Sequence, residues 1–237
     1  MTEHRQGAHG GQYFAPAPDS EDIRRRLNVD LRGHHTQVET SNGVFSAHRL
    51  DLGTSVLLKH APEPPHRGSF LDLGCGWGPL SLALALERPE ATIWLWDVNE
   101  RALELTRRNA RTIGLPNVRA VTAQDVPEKL GFDLIWSNPP IRVGKDELHR
   151  LLMAWLPRLN HNGRAYLVVQ KNLGADSLTP WLQTALGPTF MVGKHSSSKG
   201  YRVIEIARTT PVPARQNGDD AREGTPQDPS RTEDGDA

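Results

Sequence analysis

The sequence predicts an α/β domain, a doubly wound and mostly parallel sheet of seven strands with helices on both faces. Three observations carry this reading. The apolar run Ser69–Leu73 stops at Gly74-Cys75-Gly76-Trp77-Gly78, and Pro79 then opens a helical apolar pattern from Leu80 to Leu86. From there to Arg208, short apolar runs alternate with stretches of helical spacing. The last two runs lie close enough for a hairpin, which makes one strand antiparallel.

The elements follow in order. Residues 1–19 are polar, and their His4, Arg5 and His9 have no metal-ligand spacing, so a disordered N-terminus is expected. Residues 20–66 read as a β lead-in: Leu27, Val29 and Leu31 alternate, Arg32-Gly33 turns the chain, residues 37–40 return, and Asn42-Gly43 turns again. Gly43-Val44-Phe45-Ser46 and Leu50-Asp51-Leu52-Gly53-Thr54 come next, then a short helix beginning near Ser55 and closed by Pro62, Pro64 and Pro65. The core domain spans 67–208. Its first strand is Ser69–Leu73, followed by a helix over Pro79–Glu87 and a second strand over Thr92–Trp96. Asn99 caps a helix that runs to Ile113 and stops at Gly114. Strands are expected at 118–121 and 132–136, a helix at 145–156, a strand at 164–169 and a helix around Leu178, Trp181, Leu182 and Ala185. Strands at 189–192 and 201–207 end the domain, with residues 196–200 between them. Beyond it, residues 209–237 are expected to form a disordered acidic tail.

Composition narrows the function. A chain of 237 residues with 37% hydrophobic content suits one medium domain with appendages. The formal charge is zero, but from Thr209 onward three Arg face seven acids, so the body carries a small positive excess that permits an RNA partner. Cys75 is the single cysteine, which rules out an intrachain disulfide and a Cys-based zinc site; within the glycine loop it reads as a small packing group. No metal is expected. The first residues lack an apolar leader segment, and no run approaches the ~20 apolar residues of a membrane span. A cytoplasmic protein is expected.

The glycine loop matches the dinucleotide fingerprint at Gly74 and Gly76, but Pro79 stands at its third glycine. The pattern Asp72-x-Gly74-x-Gly76-x-Gly78, with Asp97 closing the next strand, suits S-adenosylmethionine (SAM). That ligand has no phosphate, so the loop has to pass over a methionine moiety. Asp97 is placed to accept both ribose hydroxyls, Asp72 to meet the SAM ammonium directly or through water, and Asp125, after the third strand, to accept from the adenine amine.

These residues, with Asn138-Pro139-Pro140-Ile141, resemble a class I SAM-dependent methyltransferase. Gly43-Val44-Phe45-Ser46, Leu50-Asp51-Leu52-Gly53-Thr54, Ile141-Arg142-Val143-Gly144-Lys145 and Gly200-Tyr201-Arg202-Val203 extend the resemblance to the "small domain" methyltransferases. That group includes the small-subunit ribosomal RNA guanine-N2 methyltransferases. The likeness is to short, single-domain members without the duplicated N-terminal domain of the long ones. It implies a sheet order of 3-2-1-4-5-7-6 with strand seven antiparallel, a SAM contact at Thr54, and ribosomal RNA or the small ribosomal subunit as partner.

The reaction is read from Asn138-Pro139-Pro140, at the carboxyl edge of the sheet where such folds bind ligands. A planar exocyclic amine is a poor nucleophile because its lone pair is delocalised. The Asn138 side-chain oxygen and the Pro139 carbonyl can accept from its two N–H groups and favour pyramidal character, with prolines stiffening the aim. SAM's sulfonium already carries an electrophilic methyl, so the chemistry needs no metal, no covalent intermediate and no strong base. Pro140, Ile141 and Arg142 are expected at the substrate, with Arg142 and Lys145 near phosphate. In many enzymes of this type an aromatic follows the prolines and stacks on the target; here Ile141 stands there, and Phe45 is the candidate replacement. Arg24-Arg25-Arg26 and the basic 194–199 segment are candidate RNA contacts. Protein glutamine N5-methylation, adenine N6-methylation and a non-catalytic SAM-binding role are the alternatives. The first two usually carry the missing aromatic, and an intact Asn138 argues against the third.

Overall fold

A computed structural model describes residues 21–121, 126–127 and 129–209. The chain opens with a hairpin, β1 (Arg24–Leu31) and β2 (His34–Ser41), in a two-stranded sheet of its own. Its turn, Arg32-Gly33, has both residues at positive φ, 58° and 90°, as a tight two-residue hairpin requires. Helix α1 (Leu52–His60) follows.

The core then alternates: β3 (Ser69–Leu73), α2 (Pro79–Glu87), β4 (Thr92–Trp96), α3 (Glu100–Ile113), β5 (Val118–Ala120), β6 (Phe132–Ser137), α4 (Lys145–Trp155), β7 (Leu159–Gln170), α5 (Ala175–Leu186), β8 (Phe190–Ser198) and β9 (Tyr201–Arg208). The seven-stranded sheet has the order β5-β4-β3-β6-β7-β9-β8. Counted from β3 as strand one, that is the order 3-2-1-4-5-7-6 anticipated above. Strand β9 runs antiparallel to both neighbours, and the inner pairs are parallel.

The two-residue period of a strand sends alternate side chains to opposite faces. Phe70, Ile93, Leu95, Leu134 and Trp136 bury against α1, α2, α3 and the hairpin's Val29, Leu31 and Val38. Leu71, Leu73, Ile135, Leu167 and Ile204 bury against Leu148, Leu152 and Trp155 of α4 and Leu178 and Leu182 of α5. Three layers result, and the lead-in shares the first core. Two asparagines fasten it there. Asn109 on α3 accepts from Glu39 N (2.8 Å) and donates to Glu39 O (2.9 Å) and Trp77 O (3.1 Å). Asn99 caps α3 and donates to Gly43 O at 2.7 Å.

Three expectations are corrected. The helix after Asp51 starts at Leu52, so Thr54 lies in its first turn and Asp51 is the N-cap, accepting from Thr54 N at 3.0 Å. Strand β7 begins five residues earlier than residue 164, at Leu159 opposite Phe132, across a register shift. Ser196, Ser197 and Ser198 belong to β8, paired with Val203, Arg202 and Tyr201, which leaves Lys199-Gly200 as the turn. Serine has low strand propensity, but the free edge of β9 offers hydrogen bonds that outweigh it. Among the described residues no helix is long and apolar enough to cross a membrane.

Candidate active site

The glycine loop joins β3 to α2 at the carboxyl edge of the sheet. Gly74, Gly76 and Gly78 all take positive φ (82°, 58° and 97°), a region that side chains enter at a cost. Gly74 N donates to Trp96 O at 2.8 Å, which ties the loop to the end of β4. A Cβ at Gly74 would meet nothing within 4 Å, whereas at Gly78 it would lie 2.5 Å from Thr106 Cγ2. The first two glycines thus keep a space open, and the third lets the loop pack on α3. Gly78→Ala is expected to lower the melting temperature markedly, since the backbone alone costs an alanine about 1–2 kcal/mol and the contact adds to it. Gly74→Ala shares only the backbone cost, so its further loss should appear in SAM affinity; thermal melts and SAM titration of the two variants check the contrast.

Asp97, half-buried at the end of β4, clamps the loop. Its Oδ2 accepts from Gly76 N and its Oδ1 from Asn99 N, both at 2.9 Å. Burial raises its carboxyl above the ordinary range, against those backbone donors and that of Val98. Each oxygen keeps a lone pair for a further donor.

Asp72 is fully buried, on the face of β3 that meets α2. Its Oδ2 accepts from Ser81 N at 2.9 Å and from Ser81 Oγ, and its Oδ1 has no partner among the described residues. It stands behind the loop and is not part of the cleft wall. Burial pushes its carboxyl up to about 7; the Ser81 donors oppose that and Asp97 adds to it. The folded chain therefore holds this proton to higher pH than the unfolded one does. Stability is expected to fall as pH rises from 3.8 towards about 7. Asp72→Asn, neutral throughout, should flatten that slope in thermal melts, and an unchanged slope would clear Asp72 of the effect.

Across the loop lies a cleft lined by Phe45, Ser46, Asp51, Thr54, Gly74, Cys75, Gly76, Trp77, Pro79, Leu80 and Asn138. Phe45, 43% exposed, stands in its wall, which sets residues 43–46 beside the glycine loop. Ser137 Oγ donates to Leu73 O at 2.6 Å, which joins the ends of β6 and β3 and brings Asn138 beside the loop. Asn138 Nδ2 then donates to Asp51 Oδ2 (2.8 Å) and to Thr54 Oγ1 (3.0 Å). A carboxylate only accepts, so the amide's nitrogen must face Asp51, and its oxygen is left without a partner among the described residues.

The other expected residues spread around this cleft. Pro139 is buried, and its carbonyl already accepts from Ile141 N at 2.9 Å, with one lone pair left. Ile141 packs against the α4-side core, Pro140 is half-buried, and Arg142 and Lys145 are exposed. Cys75 is buried and has its thiol pKa raised well up, first by burial, as a packing group would. Asp125 lies outside the described residues. Arg24 is held by Asp22 and Glu39 of the lead-in and by Glu104 of α3, and Arg25 meets His48, so these two arginines are engaged within the protein. Two residues stand in motifs quoted above to which the sequence assigns them no role. Asp51 is one. The other is Tyr201, at the same sheet edge opposite Gln170, whose ring fills the space a Cβ at Gly53 would take, 2.9 Å from its Cε1. Burial, then the Asp51 carboxylate, raise its phenol above the ordinary value, with Arg142 opposing.

A family model, the methyltransferase small domain, matches residues 35–205. The chain belongs to that family. It is a SAM-dependent methyltransferase, and the open space at Gly74 and Gly76 leaves room for that donor. An uncharacterized Bacillus subtilis (strain 168) protein, YbxB, is 33% identical over 88% of this chain and 100% of the relative. Ribosomal RNA small subunit methyltransferase C of Salmonella choleraesuis (strain SC-B67) is 36% identical over 83% of this chain and 56% of that protein. The chain thus spans about half the length of the small-subunit methyltransferases it matches. The structure of T. thermophilus 16S rRNA N2 methyltransferase RsmC with AdoMet and guanosine superposes with a TM-score of 0.66, covering 79% of this chain and 51% of that one; at 22% identity this speaks for the fold.

Proposed function

We propose that this methyltransferase acts on the exocyclic N2 amine of guanine in small-subunit ribosomal RNA. The observation that carries the reading is the fixed direction of the Asn138 amide, whose free oxygen is available to an amine brought into the cleft. The names of the related ribosomal RNA methyltransferases support the RNA class.

Asn138 Oδ1 and the remaining lone pair of the Pro139 carbonyl accept from the amine's two N–H groups. Bound SAM supplies an electrophilic methyl on a sulfonium sulfur. As the new C–N bond forms, the C–S bond breaks, S-adenosylhomocysteine leaves, and the surplus amine proton passes to water. Asp97 takes the ribose hydroxyls with its spare lone pairs, Thr54 lies at the cleft wall to contact the donor, and Asp72, behind the loop, reaches the donor's ammonium only through a water on Oδ1. Phe45 provides the stacking surface that Ile141 does not. Exposed Arg142, Lys145, Lys171 and Lys199 rim the same sheet edge and meet phosphate.

Labelled SAM, the purified protein and small ribosomal subunits from a deletion strain test this, with mass mapping of the product. N2-methylguanine in the RNA is the expected result. Label in protein with unlabelled RNA, or in adenine, would overturn it.

A further inference from the structure

Asp51 does two things with one carboxylate. Its Oδ2 caps α1 through Thr54 N (3.0 Å) and orients Asn138 through Nδ2 (2.8 Å). Its Oδ1 accepts no hydrogen bond from any described residue, although the side chain forms part of the cleft wall beside Phe45, Gly74 and Asn138. A carboxylate oxygen left open beside the reacting amine's own acceptor has a definite complement, a second N–H next to that amine.

We propose that Asp51 is the specificity-determining residue of this site, its free oxygen accepting from guanine N1–H while Asn138 holds the adjacent N2 amine. The inference rests on the guanine reading and sharpens it. Guanine presents two donors in a row along this edge, N1–H and the N2 amine. Adenine places an N1 lone pair beside its N6 amine, and a glutamine side chain places a carbonyl beside its nitrogen. Both would set a lone pair against the carboxylate, a repulsive contact that rejects them without any clash of shape. Fixing Asn138 and reading the base thus fall to the same group, so the base that satisfies Asp51 is the base whose amine meets Asn138.

The test uses an RNA oligonucleotide spanning the mapped methylated nucleotide, with either guanine or 2-aminopurine at the target. The analogue keeps the 2-amine but has an N1 lone pair where guanine has N1–H. Wild-type protein is expected to favour guanine by about tenfold to a hundredfold in kcat/KM. Asp51→Asn preserves a good helix cap and an oxygen for Asn138, but it turns an NH2 towards the base. It should lose guanine activity and gain activity on 2-aminopurine, so that the preference collapses or inverts, with SAM affinity by calorimetry unchanged. Asp51→Ser, which also caps, should lose the preference without gaining the analogue. A purely structural Asp51 would slow both substrates equally in both variants; an unchanged ratio in D51N sinks the proposal. N2-methylguanine formed by wild type with that unchanged ratio leaves the guanine reading standing and removes only the role of Asp51. No methylated guanine from wild type removes both.

Discussion

Asn138→Ala is expected to lower turnover by about a hundredfold or more while SAM binding stays nearly intact. The reason lies in how the amide is held. Its nitrogen is committed to Asp51 and Thr54, so its oxygen cannot swing away from an incoming amine. Such an acceptor needs no reorganisation when the nitrogen begins to pyramidalise, and pre-aimed groups of this kind contribute more to the transition state than to ground-state binding. The glycine loop, pinned at Gly76 by Asp97, draws nothing from Asn138 except a shared cleft wall. The loss should therefore fall on kcat in single-turnover assays at saturating SAM, with calorimetry showing the same affinity as wild type. Equal turnover in the variant would refute the amine-holding role.

What the sequence made legible follows from where each signal resides. Pro79 at a helix start, Asn99 as a cap and Gly114 as a left-handed stop act within a few residues, and all three ends fall where those residues place them. Strand β8 extends past its local signal, since Ser196, Ser197 and Ser198 have no local reason to extend; their reason is β9 alongside. The site divides in the same way. The glycine loop and Asn138-Pro139-Pro140 are compact patterns whose chemistry shows in the spacing. The pairing of Asp51 with Asn138 joins residues 87 positions apart, so the Leu50-Asp51-Leu52-Gly53-Thr54 motif carries no sign of that contact. The contact of Tyr201 is equally hidden in its motif, since only the antiparallel return of β9 brings its ring onto Gly53. Sequence spacing thus marks the glycine loop and Asn138, while the tertiary contacts between the lead-in and the sheet edge set the direction of the Asn138 amide.

Asp97→Ala is expected to act on the other side of this division, weakening SAM by about tenfold to a hundredfold and changing turnover at saturating donor much less. Two contributions combine in that loss. The carboxylate pins Gly76 N and Asn99 N at 2.9 Å, so its removal loosens the loop. In the proposed role it also accepts the ribose hydroxyls, and its burial makes those bonds stronger than they would be in water. The two parts separate with a ligand lacking the hydroxyls. Wild-type protein should bind S-adenosylhomocysteine well above its 2′,3′-dideoxy analogue, and Asp97→Ala should bind the two alike. A variant that is weaker overall but still discriminates them would assign Asp97 to the loop alone. Unchanged affinity for both would remove it from the donor site, because a group that touches the bound donor or holds its loop cannot be deleted without cost to the bound state.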